Sequence, residues 1–180
     1  MGSTMKNLNR FKSNLSQGLA KTSLMDVEII PPTSLSNSIV VENLKFKCQS
    51  ADLPGKTLGL QERTDYVTSS KHPYGVQFSD LSLSFLCSST MSERKFFDDW
   101  MEIIIGNESL KSEYYDNFIS DRIMVNLYTG RSEEKSCTFH FRKIFPRTMS
   151  EQQISWMNED VLKLTVQFSY EYWTVDYFAN

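Results

Sequence analysis

Two histidines, His72 and His140, and three cysteines, Cys48, Cys87 and Cys137, are the residues of this chain best suited to hold a metal or act as nucleophiles. Their spacing supports neither role. A structural zinc site takes about four N or S ligands in local pairs, and the sequence holds no CxxC and no HxxxH. The cysteines are odd in number, widely spaced and each set in an apolar alternating run. They read as free buried thiols of a reducing compartment. His140 lies between Phe139 and Phe141 in an alternating segment and reads as a sheet-surface side chain. Asp98-Asp99 are adjacent on a helical pattern, so their carboxylates point about 100° apart and cannot share a proton. Glu133-Glu134 flank a turn and read as solvated charge. No GxSxG, Walker loop or GxGxxG occurs. Asn14 and Asn107 open glycosylation-type triplets, read as chance matches because no secretory leader is recognisable at the N-terminal end. No catalytic residue, metal ligand or cofactor is expected.

The elements are more informative than the reactive residues. The chain has 180 residues, 19 Lys+Arg against 22 Asp+Glu, 40% hydrophobic and 13% aromatic residues. This is roughly one domain with a sizeable core, not a disordered chain. The balance of charge is slightly acidic, which argues against gripping nucleic acid. No run approaches the roughly 18 apolar residues that span a bilayer.

Leu24 to Ile30 reads as a first strand, ended by Pro31-Pro32. Ile39 to Gln49 alternates, with Leu44, Phe46 and Cys48 against Lys45, Lys47 and Gln49, and predicts a second strand. Leu53-Pro54-Gly55 is a turn. Leu58 to Gly75 is polar and weakly patterned, and reads as two extended arms and a tip. Ser79 to Cys87 alternates cleanly, with Leu81, Leu83, Phe85 and Cys87 on one face. Thr90 and Glu93 have capping-box spacing and open a helix over Met91 to Ile105, stopped by Gly106-Asn107. Strands are predicted over 121–128, over 135–145 ending at Pro146, and over 161–173. The first 22 residues place Leu8, Phe11, Leu15 and Leu19 on one helical face, too narrow to be stable alone. They read as an arm that orders on a partner or as a frayed end. The C-terminal aromatics Phe168 to Phe178 read as core or subunit contact. The sum is a mainly β (α+β) protein: an antiparallel sandwich or half-barrel of six to seven strands with one packed helix. The expected organisation is an arm over 1–22, a β domain over 23–175 and a tail over 176–180.

Four segments in order carry a family resemblance. They are Asp26-Val27-Glu28-Ile29; Phe46 through Gly55, with a C-x-x-A-x-L-P-G turn; Phe96-Phe97-Asp98-Asp99-Trp100; and Phe145-Pro146, then Ser155-Trp156 through Leu162-Lys163-Leu164-Thr165-Val166 to Tyr170-Glu171-Tyr172-Trp173. Together they resemble the tail tube proteins of contractile-tailed bacteriophages. The resemblance implies hexameric rings stacked into a hollow tube that conducts DNA, inside a contractile sheath. Its implied partners are other copies of the chain, the sheath protein, tube-initiator and terminator proteins, and the tape-measure protein and DNA held non-specifically in the lumen. The implied location is the virion tail, assembled in the host bacterial cytoplasm. A single-ring initiator or terminator of the same fold, or a monomeric ligand-binding barrel, stay open as alternatives. Lumen-facing candidates are Ser82, Ser84, Thr165, Gln167, Ser169 and Glu171. Candidates for contact between rings or subunits are Leu8, Phe11, Leu15, Leu60, Tyr66, Val67 and Tyr74.

Overall fold

The computed structural model describes residues 24–35, 38–65, 68–106, 111–129, 134–157 and 160–178. Leu8, Phe11, Leu15, Tyr66 and Val67 lie outside the described residues. In chain order the elements are β1 (Met25–Ile29), α1 (Ser38–Lys47), β2 (Cys48–Asp52), β3 (Lys56–Asp65), β4 (Thr68–Phe78), β5 (Leu81–Leu86), α2 (Ser92–Ile104), α3 (Tyr115–Phe118), β6 (Ser120–Tyr128), β7 (Lys135–Met149), β8 (Lys163–Ser169) and β9 (Tyr172–Tyr177). The protein is mostly β, and all the strand pairings are antiparallel.

A bent ribbon organises the body. The first half of β7 pairs with β6 on one side and β9 on the other, and its second half pairs with β8. Two four-stranded layers therefore share β7: β1-β6-β7-β9 and β7-β8-β5-β2. The bend falls at Lys143, whose φ is 50°, a strained value for a side chain with a Cβ. Opposite it the chain kinks at Tyr170–Glu171, and Lys143 reaches Glu171 at 2.7 Å across the bend. The predicted strand 161–173 is thus two strands, because the chain must turn with β7 from one layer to the other. Pro146 does not end β7. It sits beside a register shift that leaves Arg147 without a cross-strand partner, and a residue lacking an N–H is tolerated at a bulge.

The inward faces make one core. Leu81, Leu83, Phe85, Leu164, Val166 and Phe168 from one layer meet Val27, Ile29, Ile123, Val125 and Phe141 from the other, all buried. Helix α2 closes the core with Phe96, Phe97 and Trp100. Phe97 packs on Phe85 at 5.3 Å and edge-on to Phe168 at 5.9 Å between centroids. The Trp100 indole N–H donates to the Phe118 carbonyl at 2.8 Å, which fixes short α3 against α2. Three helices are therefore described where the sequence pattern predicts one.

Residues 38–47 are helical, against the predicted strand. The strand reading puts Leu44 and Phe46 on one face, but Leu44 is buried while Phe46 is 83% exposed. Val41 and Leu44 instead share the helical face turned to the core. The two lysines of the alternation are held by carboxylates from elsewhere: Lys45 by Asp26 and Glu28, Lys47 by Glu93. Asp26 also accepts from Asn126 at 2.6 Å and Tyr128 at 2.8 Å, and Thr138 donates to Asn126 at 2.9 Å. This polar ladder ties α1, β1, β6 and β7 together. Burial and the Asp26 hydrogen bond push the Tyr128 hydroxyl up to about 12.

The capping box does not form. Met91 is the N-cap in left-handed geometry (φ 52°), with no side-chain cap. The buried Glu93 carboxylate instead accepts the Ser88 N–H at 2.9 Å, the Ser88 hydroxyl at 2.8 Å and the Lys47 ammonium. A charged partner from α1 outbids a neutral cap, because a buried carboxylate needs compensation. Burial by itself would raise the Glu93 pKa, but Lys47 and Ser88 outweigh it and hold it down at about 2. The unfolded chain takes up the proton near 4.5 while the folded carboxylate stays ionised, so stability is complete above 4.5 and is lost as pH falls towards 2. A depression of this size is worth roughly 3 kcal/mol. We expect urea unfolding from pH 6 to pH 2 to show this loss in the native chain, and Glu93→Gln to be less stable at pH 6 but to lose less stability than the native chain between 4.5 and 2; equal slopes for the two chains would contradict the assignment.

Candidate subunit interfaces

The only two-stranded sheet among the described residues stands off the body. In β3–β4 the described side chains from Lys56 to Gln77 are exposed, apart from the half-buried position of Gly59. The hairpin is anchored at its base. Gly55 N–H donates to the Ser79 hydroxyl at 3.1 Å, and the Tyr170 hydroxyl donates to the Ser79 carbonyl at 2.6 Å. Phe78 packs against Tyr170 and Trp173 at centroid distances of 6.1 and 6.2 Å.

Register explains which hairpin face is apolar. Leu58 is opposite Val76, Gly59 opposite Tyr74 and Leu60 opposite Pro73, with Gly75 as the extra residue of a bulge at φ +62°. Residues opposite each other share a face. Leu58, Leu60, Pro73 and Val76 therefore form an exposed apolar stripe, while Tyr74 lies on the reverse face over Gly59. Leu60 is 58% and Tyr74 61% exposed. Of the predicted contact residues these two are on the hairpin, on opposite faces. Stripe partners Leu58 and Val76 were not singled out by sequence spacing, because the bulge at Gly75 breaks the alternation.

The predicted lumen residues fall together with one exception. Ser82 is opposite Gln167 and Ser84 opposite Thr165, whose hydroxyls are 2.7 Å apart. Ser50 and Asp52 of β2 and Thr148 of β7 extend this polar face across the layer. Ser169 ends it. Glu171 leaves it, because the kink carries it to Lys143. The opposite face of the same strands holds the core and α2, so this face is turned away from both.

In the two layers of the body, among the described residues, β1 pairs only with β6, β2 only with β5, and β9 only with β7. A second exposed apolar patch lies between β7 and β8, at Ile154, Trp156, Met157 and Val161, with Trp156 at 107% exposure. Sequence periodicity missed it because the segment has no regular structure. Its signal was a tryptophan and a methionine in a polar loop.

Reactive groups are not gathered. The cysteines are free, and burial pushes the Cys48 thiol up to about 12. His140 stands on a sheet face, with Nε2 3.0 Å from Asp176 and Nδ1 buried. Among the described residues no group of three or more His, Cys, Asp or Glu could hold a metal, and no helix is long and apolar enough to cross a membrane.

The architecture is a curved two-layer β body with one packed aromatic helix, open margins and a projecting hairpin. The chain belongs to the phage tail tube protein family, whose model matches residues 20–176. No curated protein matches it. Among solved structures, it is similar to a chain in the sheath–tube complex of an extracellular contractile injection system, PVC, in the extended state, with 14% identity over 92% of this chain and 97% of that one and a TM-score of 0.67. A chain in the tube-terminating cap of the anti-feeding prophage is 15% identical over 89% of this chain and 93% of that one, at 0.64. A chain in the anti-feeding prophage baseplate is 13% identical over 87% and 95%, at 0.63. At such identities the likeness is one of fold.

The Tyr74–Gly59 seating is testable. A Cβ at Gly59 would stand 2.7 Å from the Tyr74 carbonyl oxygen, which backbone cannot easily yield. Gly59→Ala is expected to speed amide exchange in β3–β4 by about tenfold, equivalent to roughly 1.4 kcal/mol of local stability. The thermal midpoint of the core should not move; unchanged exchange would show that the two strands do not approach this closely.

Proposed function

We propose that this chain is the structural subunit of the inner tube of a contractile tail or phage-like particle. Its copies close hexameric rings, and the rings stack into a hollow cylinder. The observation that carries this reading is the match to the tail tube family along nearly the whole chain, residues 20–176. Two physical features support it. Unpaired margins at β1, β2 and β9 are an association hazard in a lone monomer, and ring closure removes them. A hairpin that projects free of its own body offers an apolar stripe that water would leave costly to expose.

The role is mechanical, with no reaction. The polar face of Ser50, Asp52, Ser82, Ser84, Thr148, Thr165 and Gln167 lines the lumen in this reading. A face of hydroxyls and amides with few cations does not neutralise phosphates, so DNA slides instead of binding. The partners are the sheath outside, an initiator at the baseplate, a terminator at the far end, and the tape-measure protein and DNA within. The particle acts outside the cell after assembly in a bacterial cytoplasm. Residues 1–22 serve as a contact arm, 23–175 as the tube domain and 176–180 as its tail.

Negative-stain microscopy of the concentrated protein, with and without a crowding polymer, is expected to show tubes of uniform width. Closed single rings would favour the initiator or terminator role, and a monodisperse monomer under all conditions would overturn the proposal. The double variant Leu58→Glu/Leu60→Glu should keep the far-UV circular dichroism of the fold and lose the tubes.

A further inference from the structure

Side chains on the outward face of the β1-β6-β7-β9 layer stand in three cross-strand rows. Asp26, Asn126, Thr138 and Asp176 form the first, and Glu28, Met124, His140 and Thr174 the second. The third is Ile30, Arg122, Arg142 and Tyr172, with the Ile30 N–H donating to the Arg122 carbonyl at 3.1 Å. The alternate positions of these strands, Val27, Ile123, Val125 and Phe141 among them, face the core, so the rows are turned away from it. Every carboxylate of the first two rows is engaged within the chain. Asp26 accepts from Asn126 and Tyr128 and pairs with Lys45, Glu28 also pairs with Lys45, and Asp176 lies 3.0 Å from His140.

The third row has the opposite imbalance. Arg122 and Arg142 are direct cross-strand partners, and like charges so placed repel. Arg142 pairs with the largely exposed Asp121 at 3.4 Å. Arg122 has no ion pair among the described residues, and its Nε is buried without a hydrogen-bond partner. A buried donor without an acceptor is costly, so the row calls for an oxyanion from outside the chain. A guanidinium presents its N–H groups as a planar fork that matches the two oxygens of a carboxylate. Ile30 and Tyr172, 37% and 45% exposed, flank the two cations, and arginine beside tyrosine is a composition in which interface energy concentrates. A nucleic-acid backbone would need a run of cations, whereas the neighbouring rows supply carboxylates.

We propose that the row Ile30, Arg122, Arg142 and Tyr172 is a docking site for an acidic segment of a second protein, whose Asp or Glu carboxylate bridges the two guanidinium groups. In the tube reading the polar face of β5 and β8 lines the lumen. The arginine row belongs to the other layer and points the opposite way, so its partner meets the tube from outside. This placement rests on the tube reading, and goes beyond it by naming the residues and the charge of what they hold.

The test is zero-length coupling in whole particles. Arg122→Lys keeps the charge and supplies an amine that a carbodiimide joins to a carboxylate in contact with it; Arg142→Lys is read in parallel. Particles carrying each variant are purified, coupled and digested, and the peptide linked at the substituted position is sequenced by mass spectrometry. The expected product joins that position to an Asp or Glu of a different protein, and Arg122→Gln particles shed the same protein at a lower salt concentration than native ones. Tubes in which neither position is linked, or in which the link is to Asp121 or any other carboxylate of this chain or its copies, overturn the docking site and leave the tube reading standing. Absence of tubes by microscopy, from the native chain as well as the variants, overturns both.

Discussion

Backbone amides and carbonyls at the margin of a sheet must find partners, and this constraint shapes the molecule more than any single side chain does. Within the body the bent β7 meets it twice, giving one half of its length to β6 and β9 and the other to β8. The two layers are therefore covalently continuous and curve around a common core. The same arrangement cannot satisfy the outer margins of β1, β2 and β9. At those margins, among the described residues, backbone groups are left without a neighbouring strand.

Curvature in turn dictates where aromatic volume is needed. The two layers splay, and α2 fills the opening with Phe96, Phe97 and Trp100. Phe97 packs tilted on Phe85 and edge to face on Phe168, and Trp100 packs tilted on Phe168. Charged groups do the joining at the helix ends. Glu93 and Lys47 link α2 to α1, and Lys45 links α1 to Asp26 and Glu28 of β1. The first carboxylate is fully buried, so its pairing matters for stability in a way that the exposed Arg94–Asp98 pair does not.

Function follows from faces. The layer that contains β5 and β8 has an apolar side committed to the core and a side of hydroxyls and amides committed to nothing inside the chain. That face also carries the charged side chains of Asp52 and Lys163.

Alternation made much of this legible in the amino-acid order. Leu81, Leu83 and Phe85, the 121–128 run, the Phe96-Phe97-Trp100 helix and the shared polar parity of Ser82, Ser84, Thr165 and Gln167 are local patterns with a period of two or of 3.6, and side-chain periodicity is a local property. Segment 38–47 defeated that logic: its short apolar run fits either period, and the choice was made by Asp26, Glu28 and Glu93, which lie far along the chain. Glu93 likewise abandoned its cap for Lys47, and Glu171 left its expected face because β7 bends at Lys143. Residue order alone determined that the chain is a strand-rich body with one amphipathic aromatic helix and a polar segment of two extended arms. Only the tertiary structure decided which strands share a ribbon and which margins stay open, because those facts depend on pairings between residues widely separated in sequence.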